Sequence, residues 1–150
     1  MEAGRNTMGV RTDEILGQIA SGNSDEKQVD FVEKDTVLLV LREDIESKSS
    51  LTKFANECGI YPSHLCDYFN RGKNLGRDKL LAVLINLQYG LDETQAMLRR
   101  LGAQELYVRN KRDYQIAVCI QEKKSLDEVE EILRVKGLEP LMDYEKKVKQ

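Results

Sequence analysis

The stretch SLTKFANECGIYPSHLCDYF (Ser50–Phe69) decides the reading of this chain. Its apolar and small residues fall as Phe54-Ala55-x3-Gly59-Ile60-x4-Leu65-x2-Tyr68-Phe69, the spacing of two short helices joined by a tight turn. Each position has a physical task. Ala55 is small where a second helix crosses close to the first. Gly59 supplies the positive φ that turns the chain within three or four residues. Ile60, Leu65 and either Tyr68 or Phe69 supply the apolar contacts that fix the crossing angle. Ser50 is placed to cap the first helix, predicted over Leu51–Cys58, and Pro62 sits in the first turn of the second, predicted over Pro62–Asn70.

Working outward, Asp35–Lys48 contains TVLLVLREDIESK. The run Val37–Leu41 fits a buried strand, but Ile45 four residues after Leu41 favours a buried helix. After the pair, Arg71–Gly76 is a polar loop and Asp78–Gln88 is the most apolar segment, predicted as the central buried helix. Asp92 with Gln95 is read as a capping box opening the next helix. Met97, Leu98 and Leu101 are its apolar stripe, and Gly102 is its stop. Ala103–Lys111 is a loop, followed by helices over Arg112–Glu122 and Leu126–Lys136. Ser125 and Glu128 form a second capping box, and Gly137 a second stop. Near the N-terminus a helix is predicted over Thr12–Ser21, with Ile15, Leu16 and Ile19 on one face. Met1–Arg11 carries no pattern, Asp25–Lys34 reads as a linker or weak helix, and the charged tail beyond Pro140 reads as loose.

The chain repeats itself. Shifted by 35 residues, Arg77–Gly102 falls on Arg112–Gly137 with 11 of 26 positions identical. The matches include Arg77-Asp78 on Arg112-Asp113, Leu91-Asp92-Glu93 on Leu126-Asp127-Glu128, and Gly102 on Gly137. One helical hairpin is used twice, and the two copies are expected to pack side by side to bury stripes that neither buries alone. The organisation is therefore an acidic N-terminal arm (1–34), a helix-turn-helix domain (35–102), a C-terminal hairpin (103–140) that repeats 77–102, and a tail (141–150).

Composition sets the outer limits. At 150 residues, 41% apolar and 33% charged, with two prolines, the chain suits a small helical domain. The longest apolar run, Leu80–Ile85, falls far short of the roughly 20 residues of a membrane helix. The N-terminus shows no apolar signal segment. Three cysteines without framework spacing suit a reduced, cytoplasmic setting. The net charge of −3 excludes binding of nucleic acid by bulk charge alone. That charge is uneven: −5 over residues 1–50, +4 over 51–112 and −2 over 113–150. An anionic partner is thus expected at the middle.

This pattern resembles the Cro-like phage-repressor (XRE-type) helix-turn-helix family, in particular small bacterial members. The resemblance spans roughly residues 36–101, including Asn70-Arg71-Gly72-Lys73, Arg77-Asp78-Lys79-Leu80-Leu81 and Leu91-Asp92-Glu93-Thr94-Gln95. It implies an all-α fold, a repressor-like helix-turn-helix bundle here extended by a second helical hairpin. It also implies sequence-specific binding of double-stranded DNA in transcriptional control, as a homodimer on two half-sites. By match to the family motif, Tyr61, Pro62, Ser63 and Asp67 would face the bases, with His64 beside them. Asn70, Arg71 and Lys73 would touch phosphate, together with Thr52 and Lys53.

The sequence departs from that family where it matters most. Pro62–Phe69 contains no Lys or Arg, and none of the Gln or Asn that read purines bidentately. A second reading follows: a helical protein-interaction adaptor, in signalling or defence, that keeps the helix-turn-helix only as a scaffold and meets protein partners through its acidic arm or a basic cluster. That cluster comprises Arg99, Arg100, Arg109, Lys111 and Arg112, and a solvated face is the plain alternative. Cys58, His64 and Cys66 offer three ligands without a fourth, so no metal is expected. No cofactor is expected, and no phosphate loop or nucleophile–base arrangement points to an enzyme.

Overall fold

The computed structural model describes residues 12–22 and 34–142, and their regular structure is entirely α-helical. These residues fall into two units. In the first, α1 (Thr12–Ser21) has the predicted bounds and ends at Gly22 with φ +80°. Leu16 and Ile19 on its apolar face are exposed. The second unit holds α2 (Lys34–Lys48), α3 (Leu51–Glu57), α4 (Pro62–Arg71), α5 (Arg77–Asn86), α6 (Leu91–Arg100), α7 (Lys111–Gln121) and α8 (Leu126–Val135). The readings of 1–11, 25–33 and 143–150 lie outside the described residues. Among the described residues no helix is long and apolar enough to cross a membrane.

Helix α5 is the axis of the core. Leu80, Leu81, Ala82, Val83, Leu84 and Ile85 are all buried, so α5 is covered on every side. Each fully buried leucine or isoleucine there contributes about 1.5–3 kcal/mol. The segment Val37–Leu41 is helical, but it is not buried as a block. Leu38, Leu41 and Ile45 enter the core, whereas Leu39 and Val40 face outward. A helix lying on one side of a bundle buries only the residues spaced three and four apart. Helix α2 packs on α3, α4 and α6, and its Asp44 accepts a hydrogen bond from Tyr89 Oη. Burial and that neighbouring carboxylate push the Tyr89 phenol well above its ordinary range.

The start of α6 differs from expectation. Its N-cap is Gly90, not Asp92, and Glu93 Oε1 accepts the Gly90 N–H at 2.9 Å. Gln95 is committed elsewhere: its Oε1 accepts the Leu106 N–H at 2.7 Å and its Nε2 donates to the Leu106 carbonyl at 3.0 Å. The Ser125–Glu128 box opens α8 as the sequence implies. Of the predicted tail, Leu141 and Met142 are described, and they are buried rather than loose. Glu130, itself buried, accepts both of their N–H groups at 2.7 and 2.9 Å.

The two hairpins, α5–α6 and α7–α8, pair through an exchange of like groups. Arg77 Nη1 and Nη2 meet the carboxylate of Asp113 at 3.2 and 2.8 Å, and Arg112 meets Asp78 at 3.1 Å through both nitrogens. Each arginine of one copy thus grips the aspartate of the other. Each also holds the chain that leaves its own hairpin. Arg77 donates to the carbonyls of Gln104 and Glu105, and Arg112 donates to those of Glu139 and Pro140, again 35 residues on. Gln95 and Glu130, which tie down Leu106 and Leu141, stand in the same relation. Both hairpin turns place a non-glycine at positive φ, Gln88 at 62° and Lys123 at 57°. The repeat therefore runs from Arg77–Tyr107 onto Arg112–Met142, further than sequence identity alone marks.

The symmetry relating the copies is an approximate two-fold. Helix α6 packs on α7, and α5 packs on α8. Exchanging the hairpins turns the first contact into the second. A translation along a stack would instead carry the first contact on to a third repeat. Reciprocal pairing of residue i with j′ and j with i′ is the mark of an isologous interface.

Burial pushes the Asp113 carboxyl up, but the Arg77 hydrogen bond, the Tyr107 N–H and the charges of Arg77 and Arg112 outweigh it, and the group is held below its ordinary range. The Arg77–Asp113 pair therefore stabilises the fold above the unfolded carboxyl value of about 4 and is lost as pH falls through the lower folded value. Arg77→Ala leaves Asp113, whose side chain is 9% exposed, without its counter-charge, and is expected to cost about 2–4 kcal/mol by urea unfolding. Arg112→Ala frees the more exposed Asp78, at 46%, and is expected to cost less, about 1 kcal/mol beyond its lost carbonyl contacts. Equal costs would contradict this assignment. Asp113→Asn should flatten the loss of stability below pH 4.

Thr94 supplies an independent check. It is fully buried, its hydroxyl has no partner among the described residues, and the equivalent residue in the second copy is the buried Val129. Thr94→Val keeps the shape and removes an unsatisfied group, so it should raise stability by about 1 kcal/mol in thermal or denaturant unfolding.

Candidate nucleic-acid interface

Helix α3 begins at Ser50, whose Oγ accepts the Lys53 N–H at 3.1 Å. It ends at Cys58, and Gly59 then turns the chain at φ +69°. The Ile60 N–H reaches back to the Ala55 carbonyl at 2.9 Å and closes the turn. Phe54, Ala55, Ile60, Leu65 and Tyr68 are buried, which locks α3 against α4. Of the two aromatic candidates, Tyr68 is the one inside, and burial pushes its phenol up to about 12. Phe69 lies half-buried beside it, 5.4 Å between ring centres. Tyr61 is the N-cap of α4 and Pro62 its first residue, while Gly72 ends the helix in the left-handed region at φ +68°.

The outer side of this pair carries the residues the sequence singles out. Thr52, Lys53, Tyr61, Ser63, Asn70, Arg71 and Lys73 are exposed, and Pro62, His64 and Asp67 are half-buried. They are not equally available. His64 Nε2 donates to the Asn74 carbonyl at 3.1 Å, so the ring staples the loop 72–76 to α4. Asn70 accepts from Arg42 Nη1 at 2.7 Å and donates to Cys66 Sγ at 3.1 Å. Arg71 Nε lies 3.7 Å from Asp67, a loose pair with the arginine 71% exposed. The side chains of Thr52, Lys53, Ser63 and Lys73 have no partner among the described residues.

Arg42 is the participant that sequence reading missed. It reaches from α2 to Asn70 and lies over the Phe69 ring at 5.9 Å. Its partner is 28 residues away, and the only local signal was Glu46 one turn on, which it also meets at 3.4 Å. The wider basic cluster is partly consumed. Arg99 is paired with Glu105 at 3.2 Å and Arg112 with Asp78, which leaves Arg100, Arg109 and Lys111. Among the described residues no group of His, Cys, Asp and Glu is arranged to hold a metal ion. Cys58 is buried, with its Sγ 3.8 Å from the Ala82 carbonyl.

The C-terminal hairpin reaches this turn. Met142 lies over Gly59, where an added Cβ would stand 3.2 Å from Met142 Cβ. No protein-family model, curated protein or solved structure matches the chain.

Gly59→Ala introduces both a strained left-handed backbone and crowding against Met142. It should cost about 2–3 kcal/mol in denaturant unfolding. A cost below 0.5 kcal/mol would show that the turn does not depend on glycine.

Proposed function

We propose that this chain is a sequence-specific DNA-binding protein acting in transcriptional control, with α4 as its reading helix. The observation that carries this reading is the geometry of the pair. A turn at Gly59 sets α4 across α3, with Ser63 and Arg71 of α4 exposed and Tyr61 exposed at its N-cap. In this arrangement the first turn of α4 enters the major groove. Ser63 and Asp67 meet base edges, a serine hydroxyl serving either base and an aspartate accepting from cytosine. Lys53, Arg71 and Lys73 contact phosphate from either side of that helix and set its register. His64 contributes by fixing the loop that carries Lys73. A monomer with so few phosphate contacts binds weakly, and two copies on half-sites one helical turn apart multiply the affinity. The free thiols of Cys58, Cys66 and Cys119 fit a reduced, cytoplasmic setting.

One observation favours the adaptor reading. Pro62–Phe69 holds no cation, and its one acid faces the same side as Arg71. Salt titration against random duplex DNA separates the two. With Lys53, Arg71 and Lys73 each neutralising one phosphate, the log–log slope should be about −3. The double variant Arg71→Ala, Lys73→Ala should weaken all sequences alike and reduce that slope by about 2, whereas Ser63→Ala should shift sequence preference. Undetectable binding at about 50 mM salt would favour the adaptor.

A further inference from the structure

The loop between the hairpins is a second charged surface, and it emerges at the same end of the fold as the loop that follows α4. The reciprocal ion pairs fix this. Arg77 opens α5 and Asp113 lies in the first turn of α7, so their 2.8 Å contact sets the starts of these two helices side by side. Residues 72–76 feed the first start and 103–110 feed the second. Arg77 also holds the carbonyls of Gln104 and Glu105, and Asp113 holds the Tyr107 N–H at 2.9 Å, so the loop is pinned at its start and at its middle. Asn110 caps α7 by accepting the Asp113 N–H at 3.0 Å.

Pinning the loop turns its remaining side chains outward. Tyr107 is 56% exposed, Tyr114 is 50% exposed, and Val108, Arg109 and Lys111 are exposed between them. Neither tyrosine hydroxyl, nor Arg109, nor Lys111 has a partner among the described residues. The acids nearby are mostly spoken for. Asp113 is paired with Arg77, Asp78 with Arg112 and Glu105 with Arg99, while Asp67 meets Arg71 only loosely and Glu139 is left exposed. The fold spends its carboxylates on internal pairing and leaves Lys73, Arg109 and Lys111 as surplus cations at this end.

We propose that Tyr107, Arg109, Lys111 and Tyr114 form a second contact with the DNA backbone, extending the footprint beyond the helix-turn-helix. The inference rests on the DNA-binding reading given above. The chemistry fits phosphate better than base edges. Arginine and lysine neutralise it, tyrosine hydroxyls donate to it, and a turn pinned by backbone hydrogen bonds suits a sequence-independent contact. It also compensates for the depleted reading helix, since affinity lost from α4 is regained by positioning contacts. The C-terminal hairpin then has a task besides support: it carries the loop to the duplex.

The test uses the full chain and a random-sequence duplex, with salt titrations of the wild type, of Arg109→Ala with Lys111→Ala, and of Arg71→Ala with Lys73→Ala. The loop variant should bind about tenfold more weakly at low salt, and its log–log slope should fall in magnitude by about 2. Sequence preference in a selected pool should not change. The charge reversal Arg109→Glu with Lys111→Glu should weaken binding further while circular dichroism and melting stay as in the wild type, both positions being exposed. Wild-type binding that weakens with Arg71→Ala and Lys73→Ala but keeps its slope in the loop variant would overturn this inference alone. An absence of wild-type binding to any duplex would overturn it together with the reading on which it rests.

Discussion

The exchange of Arg77 with Asp113 and Arg112 with Asp78 is the constraint on which the rest of this structure depends. Each guanidinium satisfies a carboxylate in the other hairpin and two carbonyls of the segment that leaves its own. Arginine suits this task because its planar fork presents several donors in fixed directions, which a lysine does not. One residue type, placed twice, thereby sets the pairing of the hairpins, the path of the inter-hairpin loop and the path of the C-terminal segment. Through that last segment it also reaches the turn at Gly59, since Leu141 and Met142 are tied to Glu130 and Met142 covers the glycine.

Much of this was legible in the residues. The helix pair at 50–71, the burial of Leu80–Ile85, the caps at Ser50 and Ser125 and the glycine stops at 102 and 137 all follow from short-range rules of spacing and capping. The 35-residue repeat was legible too, but only as similarity. Its symmetry was not, because Arg77-Asp78 and Arg112-Asp113 look like ordinary helix starts until the partner of each is known. Gly90 and Gln95 show the same limit. Asp92 satisfies the local rule for a cap, yet the start of α6 is set by Glu93 bonding back to Gly90, and Gln95 is claimed by Leu106. At Asp92 and Gln95 the local rule names the wrong use, because the partner of Gln95 lies 11 residues away. The burial of Leu141 and Met142 was hidden for a related reason: their anchor, Glu130, is a glutamate in another helix.

The candidate interface divides along the same line. Its scaffold was readable because apolar contacts at fixed spacing leave few alternatives. The use of its polar residues was not. His64 and Asn70 look alike on paper as surface groups facing a ligand, but one is bonded to Asn74 and the other bridges Arg42 and Cys66. Arg42 belongs to the site by position and was invisible in it by sequence. The groups left without internal partners, among them Lys53, Ser63 and Lys73, are the ones best fitted to act on something external.

The two-fold relation between the hairpins has a consequence for how such a chain grows. Units stacked by translation always present one unused mating face, and lengthening the gene by another copy simply adds a storey. Units related by rotation through half a turn consume both faces on each other. The Arg–Asp exchange is saturated once two copies are present, so a further duplicate would find no arginine or aspartate waiting for it. Two such copies close on each other and leave neither arginine nor aspartate of the exchange unpaired.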